Sequence, residues 1–236
     1  MANFLVIAAS SGIGQATVRQ LEMARHRVFT TARDGSKITP DMVLDATDFD
    51  GVDAAFTQAI HTMGSVDGAV NCAGSLLLKS AHLTSQMQYD SVIAASLTTA
   101  FAVTRAAGKH MGAGGSVVLI SSAAAMEGLA NHEAIAAAKA GIIGLMRSAA
   151  ATYAPVNLRF NAVAPGLTET PLTTSLTGSD TARKFSESMH ALGRLGTADD
   201  IARAIVFLLD PANSWITGQV LAVDGGLSRV RPKLKA

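Results

Sequence analysis

The sequence has few of the features that mark secreted, membrane-spanning or nucleic-acid-binding proteins. Its 236 residues include one cysteine, Cys72, so no internal disulfide can form and a reducing compartment suits the chain. The formal net charge of +1 gives no general attraction to nucleic acid or to membranes. No apolar run approaches the roughly 18–20 residues of a membrane span, and the apolar residues 4–9 are too short for a signal peptide and follow no basic region. We therefore predict a soluble, cytoplasmic protein without nucleic-acid or membrane partners and without a metal site.

The composition is typical of one globular domain. Hydrophobic residues make up 49% of the chain, and a chain of this length usually buries a single substantial core. No internal repeat, low-complexity stretch or linker divides it. Residues 1–228 are predicted to form the folded domain and residues 229–236 a short tail. The tail is either a solvated end or a docking element, and it holds four basic residues: Arg229, Arg231, Lys233 and Lys235.

Short β-forming segments alternate with longer helical segments. Strands are predicted at residues 3–8, 27–32, 42–45, 66–71, 116–121, 157–164 and 219–223, and helices at residues 13–25, 51–62, 85–109, 132–152 and 199–209. Strands flanked by such helices form right-handed βαβ units and a parallel sheet covered on both faces. The predicted fold class is α/β: a single-domain, Rossmann-type, doubly wound parallel sheet of about seven strands. The connection from residue 33 to residue 42 contains Gly35 and Pro40 and is predicted to be a loop.

A turn of small residues follows the first predicted strand and opens a helix. Residues 8–14 read Ala-Ala-Ser-Ser-Gly-Ile-Gly. Small side chains let the backbone approach a pyrophosphate, which then sits at the positive N-terminus of the helix. Alternatively, the segment is a tight strand-to-helix turn without a ligand. On the first interpretation, five residues contact a nucleotide: Ser10, Ser11, Gly12, Ile13 and Gly14.

The end of the second strand indicates which nucleotide is bound. Ala32 stands where a ribose-binding carboxylate would be expected, and the Arg33 guanidinium one residue later suits a 2′-phosphate. This pattern favours NADP over NAD, although the neighbouring Asp34 adds an opposing charge. Alternatively, Arg33 is a surface arginine without a ligand.

These segments together resemble the short-chain dehydrogenase/reductase family, from Phe4 to Gly226. The glycine turn is similar to the family's Thr-Gly-x-x-x-Gly-x-Gly pattern, with Ile7 and Ala8 in place of the Thr and the first Gly. Residues 71–74, Asn-Cys-Ala-Gly, resemble its Asn-Asn-Ala-Gly motif, and residues 161–166 resemble its nicotinamide-binding segment. The resemblance implies an NADP-dependent oxidoreductase that acts on a small-molecule carbonyl/alcohol pair.

The resemblance also implies further cofactor contacts. Asp45, with Ala46 beside it, corresponds to the family's contact with the adenine amino group; alternatively, Asp45 caps the next helix. The Lys139 position binds the nicotinamide ribose in the family. The remaining implied contacts to the adenosine ribose and the nicotinamide carboxamide are Asn71, Ala73, Gly74, Pro165, Gly166, Thr168 and Thr170.

The family's catalytic Asn, Ser, Tyr and Lys are only partly present. Ser122, 13 residues before Ile135, matches the carbonyl-polarising serine, and Lys139 matches the lysine that lowers the tyrosine pKa. Ser96 stands in place of the Asn. Ile135 occupies the tyrosine position and has no titratable group, so the family's proton donor is absent.

One residue is a candidate for a replacement acid. His132 lies at i−3 from Ile135 on the predicted helix, and a histidine can titrate near neutral pH. Alternatively, it is a polar residue at the helix N-terminus. The two tyrosines, Tyr89 and Tyr153, are expected to lie too far from the site.

Three functions remain open at this point: an NADP-dependent oxidoreductase with an atypical site, a family-fold enzyme with non-redox chemistry, and a catalytically silent nucleotide-binding subunit. Residues 167–192 are interpreted as a segment covering the substrate, either a mobile lid or part of a polar pocket. Small residues in the predicted helices 85–109 and 132–152 favour a homo-oligomer, a homotetramer by resemblance to the family. Alternatively, these small residues pack inside the monomer.

Overall fold

The computed structural model describes residues 1–231, so Lys233 and Lys235 of the predicted tail lie outside the described residues. Nine strands occur in the described chain: β1 Asn3–Ile7, β2 Arg27–Ala32, β3 Met42–Val43, β4 Gly68–Asn71, β5 Gly115–Ile120, β6 Leu158–Pro165, β7 Thr168–Glu169, β8 Gly196–Thr197 and β9 Val220–Val223. Seven of them form one parallel sheet in the order β3-β2-β1-β4-β5-β6-β9. The predicted doubly wound α/β fold and all seven predicted strands are confirmed.

Helices cover both faces of this sheet: α1 Gly12–Met23, α2 Phe49–Met63, α3 Gln86–Ile93, α4 Thr99–His110, α5 Glu133–Tyr153, α6 Thr174–Thr177, α7 Asp180–Met189 and α8 Ala198–Leu209. Successive side chains of a strand point to opposite faces. In β1, therefore, Leu5 and Ile7 pack with α2, α4 and α5, whereas Phe4 and Val6 pack with α1 and α8. Burial on both faces explains why the strands are almost continuously apolar.

The predicted helix 85–109 is present in the structure and contains a local irregularity. A π-helical turn at Ala94–Thr98 separates α3 from α4. The Thr99 hydroxyl lies 3.1 Å from the Ala95 carbonyl oxygen and 3.0 Å from the Ser96 carbonyl oxygen, and it can donate a hydrogen bond to either. Such side-chain bonds compete with the regular backbone pattern, and π-turns often occur at functional sites. The predicted helix is therefore confirmed, with a local π-helical turn inside it.

The connection between β2 and β3, residues 33–41, contains no helix, as predicted. The predicted covering segment is more ordered than expected, because it contains α6 and α7 and begins with β7, which pairs with β8. We call residues 167–192 the lid.

The helical segments Gln86–His110 and Glu133–Val156 are long and apolar enough to match a membrane span by length and composition. However, 50% and 44% of their most apolar windows are buried inside the structure. Packing against the sheet accounts for their composition, as in the core helices of soluble α/β proteins.

Ala8, the first residue after β1, has a φ of +57°. This left-handed conformation disfavours any residue with a Cβ atom. The Ala8 carbonyl accepts a hydrogen bond from the Ser11 N–H at 3.1 Å, and the next amide, that of Ala9, donates to Thr31 at 2.7 Å. The turn therefore holds Ala8 in a strained conformation.

We predict that Ala8→Gly raises the free energy of unfolding by about 1 kcal/mol, because glycine adopts positive φ without strain. Urea denaturation measures the change. Ala9→Gly is the matched control: Ala9 is buried and has no positive φ, so this substitution should destabilise the protein. Equal destabilisation by both substitutions would contradict the prediction.

Candidate active site

The predicted site residues lie at one edge of the sheet, where the parallel strands have their carboxyl ends. The order β2-β1-β4-β5 means that the chain winds in opposite directions on the two sides of β1 and β4. In such sheets, ligands bind in the crevice outside the carboxyl ends at this switch point. The glycine turn follows β1, Arg33 follows β2, and Ser122 comes two residues after β5.

The turn after β1 forms a cradle at the N-terminus of α1. The Ser11 hydroxyl caps the helix by accepting the Gly14 N–H at 3.0 Å. The N–H groups of Gly12 and Ile13 in the first turn have no intrahelical acceptor, as at any helix start. A Cβ on Gly14 would lie 2.7 Å from the Ala8 carbonyl oxygen, so the tight turn requires glycine there. The cradle fits a phosphate group, which accepts hydrogen bonds and carries negative charge.

The start of the lid lies against this cradle. A Cβ added to Gly12 would be 3.0 Å from the Thr170 Cβ, so two segments predicted to bind the cofactor meet here. Thr168 is buried and its hydroxyl donates to the Gly166 carbonyl at 3.1 Å. The Thr170 N–H donates to the Thr173 hydroxyl at 3.1 Å. Pro165 ends β6 directly before these residues.

Arg33 is exposed, and no salt bridge or side-chain hydrogen bond to residues 1–231 involves its guanidinium. Nearby, the Asp45 carboxylate accepts hydrogen bonds from the Thr47 N–H at 2.9 Å and the Thr47 hydroxyl at 2.8 Å. These bonds lower the Asp45 pKa, and the Arg33 charge adds a smaller effect. Asp45 does not cap α2, since Asp48 does so. Ala46, next to Asp45, is buried in the core.

Asn71 joins the end of β4 to α4. Its amide donates to the buried Thr99 hydroxyl at 3.1 Å, and its Oδ1 accepts the Ala73 N–H at 3.1 Å. The Asn71 side chain thus shapes the small-residue turn that leads to Gly74. Two buried hydroxyls in neighbouring segments, Ser75 Oγ and Ser96 Oγ, have no hydrogen-bond partner among the described residues.

Lys139 is buried, and its Nζ donates to the Ile120 carbonyl at the end of β5 at 2.8 Å. Burial disfavours the charged form and lowers the Lys139 pKa to about 8. The Nζ atom lies 3.3 Å from where a Gly74 Cβ would be, so glycine leaves room for the ammonium. The sequence did not indicate that Cys72 also lies near; burial raises the pKa of its thiol to about 12, which keeps it neutral.

The two serines after β5 have different partners. The Ser121 hydroxyl donates to the Lys139 carbonyl at 2.9 Å and attaches α5 to the sheet. The Ser122 hydroxyl accepts the Ala124 N–H at 3.1 Å, which orients the oxygen and leaves its own proton available to donate.

Ile135 lies one helical turn before Lys139 with 4% of its surface exposed. Val92, Ala134 and Ala138 are buried in the same hydrophobic cluster, and Leu77 and Ile93 pack against it. Ile135 therefore belongs to a small buried apolar cluster one helical turn from Lys139.

His132 is less well placed than its sequence position suggested. α5 begins at Glu133, and His132 is the N-cap with φ −108° and ψ 12°, outside the helical conformation. Its carbonyl accepts the Ala136 N–H at 2.7 Å, so His132 caps the first turn of α5 and does not lie within the helix. Its Nδ1 is 2.7 Å from the Ala130 carbonyl oxygen, and no hydrogen bond joins it to Ser122 or Lys139.

The two tyrosines have other surroundings. Tyr153 packs against Phe160, with ring centroids 5.5 Å apart, and against Gly108. Tyr89 is 46% exposed on α3. One buried residue near the site was missed: His190, which contacts the segment after β6.

Comparisons with known proteins agree with this architecture. A family model described as enoyl-(acyl carrier protein) reductase matches residues 7–228. The chain is 35% identical to 3-oxoacyl-[acyl-carrier-protein] reductase FabG of Thermotoga maritima, over 94% of this chain and 96% of FabG. It is 36% identical to cis-4-hydroxycyclohexanecarboxylate dehydrogenase of Sinomonas cyclohexanicum, over 96% of both chains.

A solved structure is similarly close. ElxO with NADP bound superposes with a TM-score of 0.89 at 28% identity, covering 96% of this chain and 98% of ElxO. A tyrosine-to-phenylalanine variant of ElxO has been solved with NADPH bound. The family model and the two curated relatives each cover nearly the whole chain. The protein therefore belongs to the short-chain dehydrogenase/reductase family of oxidoreductases.

Proposed function

We propose that this protein is an NADP-dependent oxidoreductase acting on the carbonyl/alcohol pair of a small molecule. The observation that carries the proposal is the convergence at one sheet edge of the α1 cradle, Arg33, Ser122 and the buried Lys139. The NADP bound to ElxO, and relatives named as a reductase and a dehydrogenase, support the same assignment. We further propose that residues 1–228 form the working domain and that it acts in the cytoplasm.

The residues present fit a nicotinamide nucleotide. The free N–H groups of the α1 cradle suit the pyrophosphate, the Arg33 guanidinium suits a 2′-phosphate, and Lys139 suits a ribose hydroxyl. When bound, the nucleotide supplies the hydride. The other proposed contacts are those predicted from the sequence: Ser10, Ser11, Asp45, Ala46, Asn71, Ala73, Gly74, Pro165, Gly166, Thr168 and Thr170.

The chain's own groups would perform the remaining chemistry. The Ser122 hydroxyl, whose oxygen is oriented by the Ala124 N–H, donates its hydrogen bond to the substrate carbonyl. Lys139 holds a proton at Nζ near neutral pH, since its pKa is about 8. Ile135 supplies no proton, so water or His132 must replace the phenol. General acid–base catalysis contributes about 10²–10⁴-fold, and turnover by this enzyme should be correspondingly slow.

One observation favours a second candidate, a nucleotide-binding subunit without turnover. Ile135 is enclosed by apolar side chains, so the site lacks an acid at the position where the family has one. Assaying a panel of carbonyl compounds with NADPH and NADH separates the candidates. Turnover supports the oxidoreductase, whereas NADPH binding without turnover on any compound supports the silent subunit.

We predict that the wild-type protein binds NADPH more tightly than NADH and that Arg33→Ala removes this preference. A hydrogen-bonded charge pair contributes about 1.5–3 kcal/mol, so NADPH affinity should fall by tenfold or more while NADH affinity stays unchanged. Titration calorimetry measures both. Lys37→Ala, which removes another cation from the same loop, is the control. Tighter binding of NADH by the wild type would contradict the role of Arg33.

We predict that Ile135→Tyr raises carbonyl reduction by tenfold or more, because the phenol would lie near Ser122 and Lys139. The lysine charge favours the phenolate and lowers the phenol pKa. The buried site resists a larger side chain, and overpacking costs about 1–3 kcal/mol, so thermal unfolding is measured alongside activity.

Catalytic groups act as a unit, so Ile135→Tyr is combined with Ser96→Asn, which restores the amide of the family's fourth catalytic residue. Single-turnover rates with NADPH compare both single variants, the double variant and the wild type. A folded double variant that binds NADPH and reduces no compound in the panel would count against the oxidoreductase. If the wild type already turns over, loss of that activity in His132→Ala would identify the replacement acid.

We propose that the protein is a homotetramer in which α4 and α5 pair with the same helices of another copy. One side of α5 is buried in the monomer, whereas Ala137, Ala140 and Gly144 are exposed. A Cβ on Gly144 would meet nothing within 4 Å, so the outer side has room for a close partner. On α4, Phe101 is 49% exposed.

Light scattering at micromolar concentration should therefore find a tetramer. We expect Gly144→Arg to produce a smaller species with the monomer fold intact, because the side chain projects outward and blocks close helix approach. Gly128→Arg is the control, since its added side chain also meets open space but lies outside both helices. A monomeric wild type would rule the prediction out.

A further inference from the structure

His190 lies directly after the last residue of α7 and is buried, with 4% of its surface exposed. Its ring is enclosed by three segments. These are the turn after β6 at Gly166 and Leu167, the last turn of α7 at Ser186, and the turn after β9 at Asp224. A buried imidazole ring needs a hydrogen-bond partner for each of its two nitrogens. The identity of those partners shows which segments the ring joins.

The hydrogen bonds define one tautomer. The Leu167 N–H points to His190 Nε2 at 3.2 Å, and because a backbone N–H can only donate, Nε2 is the acceptor. Nδ1 lies 2.7 Å from the Ser186 carbonyl oxygen, which can only accept, so Nδ1 carries the proton. Only the neutral ring with Nδ1–H satisfies both partners.

Two glycines provide the room for the ring. A Cβ on Gly166 would lie 2.8 Å from His190 Nε2 and 2.9 Å from the Asp224 Cα. A Cβ on Gly225 would lie 3.4 Å from the His190 Cβ. The Leu192 N–H donates to the Gly225 carbonyl at 3.0 Å, which holds the end of the lid against the same turn.

The bond to Leu167 matters because this residue is the first of the lid. It directly precedes Thr168, whose strand pairs with Gly196. Three residues after Leu167, Thr170 lies against Gly12 in the α1 cradle. The position of the Leu167 amide therefore sets where the lid leaves the sheet and how it meets the cradle.

We propose that neutral His190 is a positioning residue: by accepting the Leu167 amide, it fixes the lid and orients the segment 165–170 toward the nicotinamide nucleotide. The contact between segment 165–170 and the nucleotide rests on the proposed function. The restraint of the lid by His190 is independent of that function.

Three substitutions separate hydrogen bonding from space filling. In His190→Gln, the side-chain oxygen can reach the Nε2 position and accept the Leu167 amide. In His190→Asn, the amide reaches only the Nδ1 position and can donate to Ser186. His190→Phe keeps a ring and loses both bonds.

Two measurements are made on each variant. Trypsin cleavage after Arg183 or Lys184, in α7, reports lid opening without any nucleotide, and titration of NADPH fluorescence reports affinity. A buried amide without an acceptor shifts an equilibrium by about tenfold. We therefore expect His190→Asn and His190→Phe to be cleaved about tenfold faster and to bind NADPH about tenfold more weakly. His190→Gln should stay within about twofold of the wild type in both measurements.

The outcomes are distinct. If His190→Phe protects the lid as well as the wild type, or if His190→Asn and His190→Gln behave alike, His190 only fills space and the proposal is overturned. If the wild type binds no nicotinamide nucleotide but the cleavage rates show the expected order, the proposed function fails and the lid restraint stands. Nitrogen chemical shifts of wild-type His190 at pH 8 give an independent test, since an Nε2–H tautomer would also overturn the proposal.

Discussion

Two hydrogen bonds between α5 and the end of β5 determine the geometry of the whole site. Lys139 Nζ donates to the Ile120 carbonyl, and the Ser121 hydroxyl donates back to the Lys139 carbonyl. Together they fix the rotation of α5 about its axis relative to the sheet. Ser122, which follows Ser121, and Ile135, one turn before Lys139, are placed by the same two bonds. The positions of Ser122, Ile135 and Lys139 relative to one another are thus determined by packing and by backbone contacts.

The side chain of Ile135 is compatible with this arrangement. Ile135 places an apolar side chain in a small buried cluster, so this position itself adds no buried polar group that would need a partner. Lys139, one turn later on α5, is by contrast a buried polar residue. Burial lowers the Lys139 pKa to about 8, against a smaller opposing influence of Cys72, and the ammonium is mostly protonated at neutral pH. Lys139 is therefore a buried positive charge beside the end of β5.

Much of the fold was predictable because it depends on local patterns. Apolar strands, helix periodicity and turn residues specified the seven-stranded sheet, and the glycine turn specified the cradle at α1. The π-turn at Ala94–Thr98 was not predictable, because it depends on one threonine hydroxyl competing for backbone carbonyls. The strain at Ala8 was not predictable, because the sign of its φ depends on how the turn packs in the tertiary structure. The predicted start of the fourth long helix was one residue early, so His132 is its N-cap, because helix boundaries are not fixed by local sequence.

The contacts of the lid were the least predictable part, since they join residues far apart in the sequence. His190 contacts a turn 23 residues earlier and lies beside another after β9. Nothing in its local sequence indicates a buried ring, because burial comes from glycines in the two distant turns. Arg183 of α7 pairs with Glu169 of β7, but both side chains are partly exposed, so this ion pair contributes little to stability. The buried neutral histidine is better suited to hold the lid, since its hydrogen bonds are shielded from solvent and an unmatched amide there would be costly. In this structure, the lid is therefore attached to the sheet mainly by buried hydrogen bonds and only weakly by surface charge.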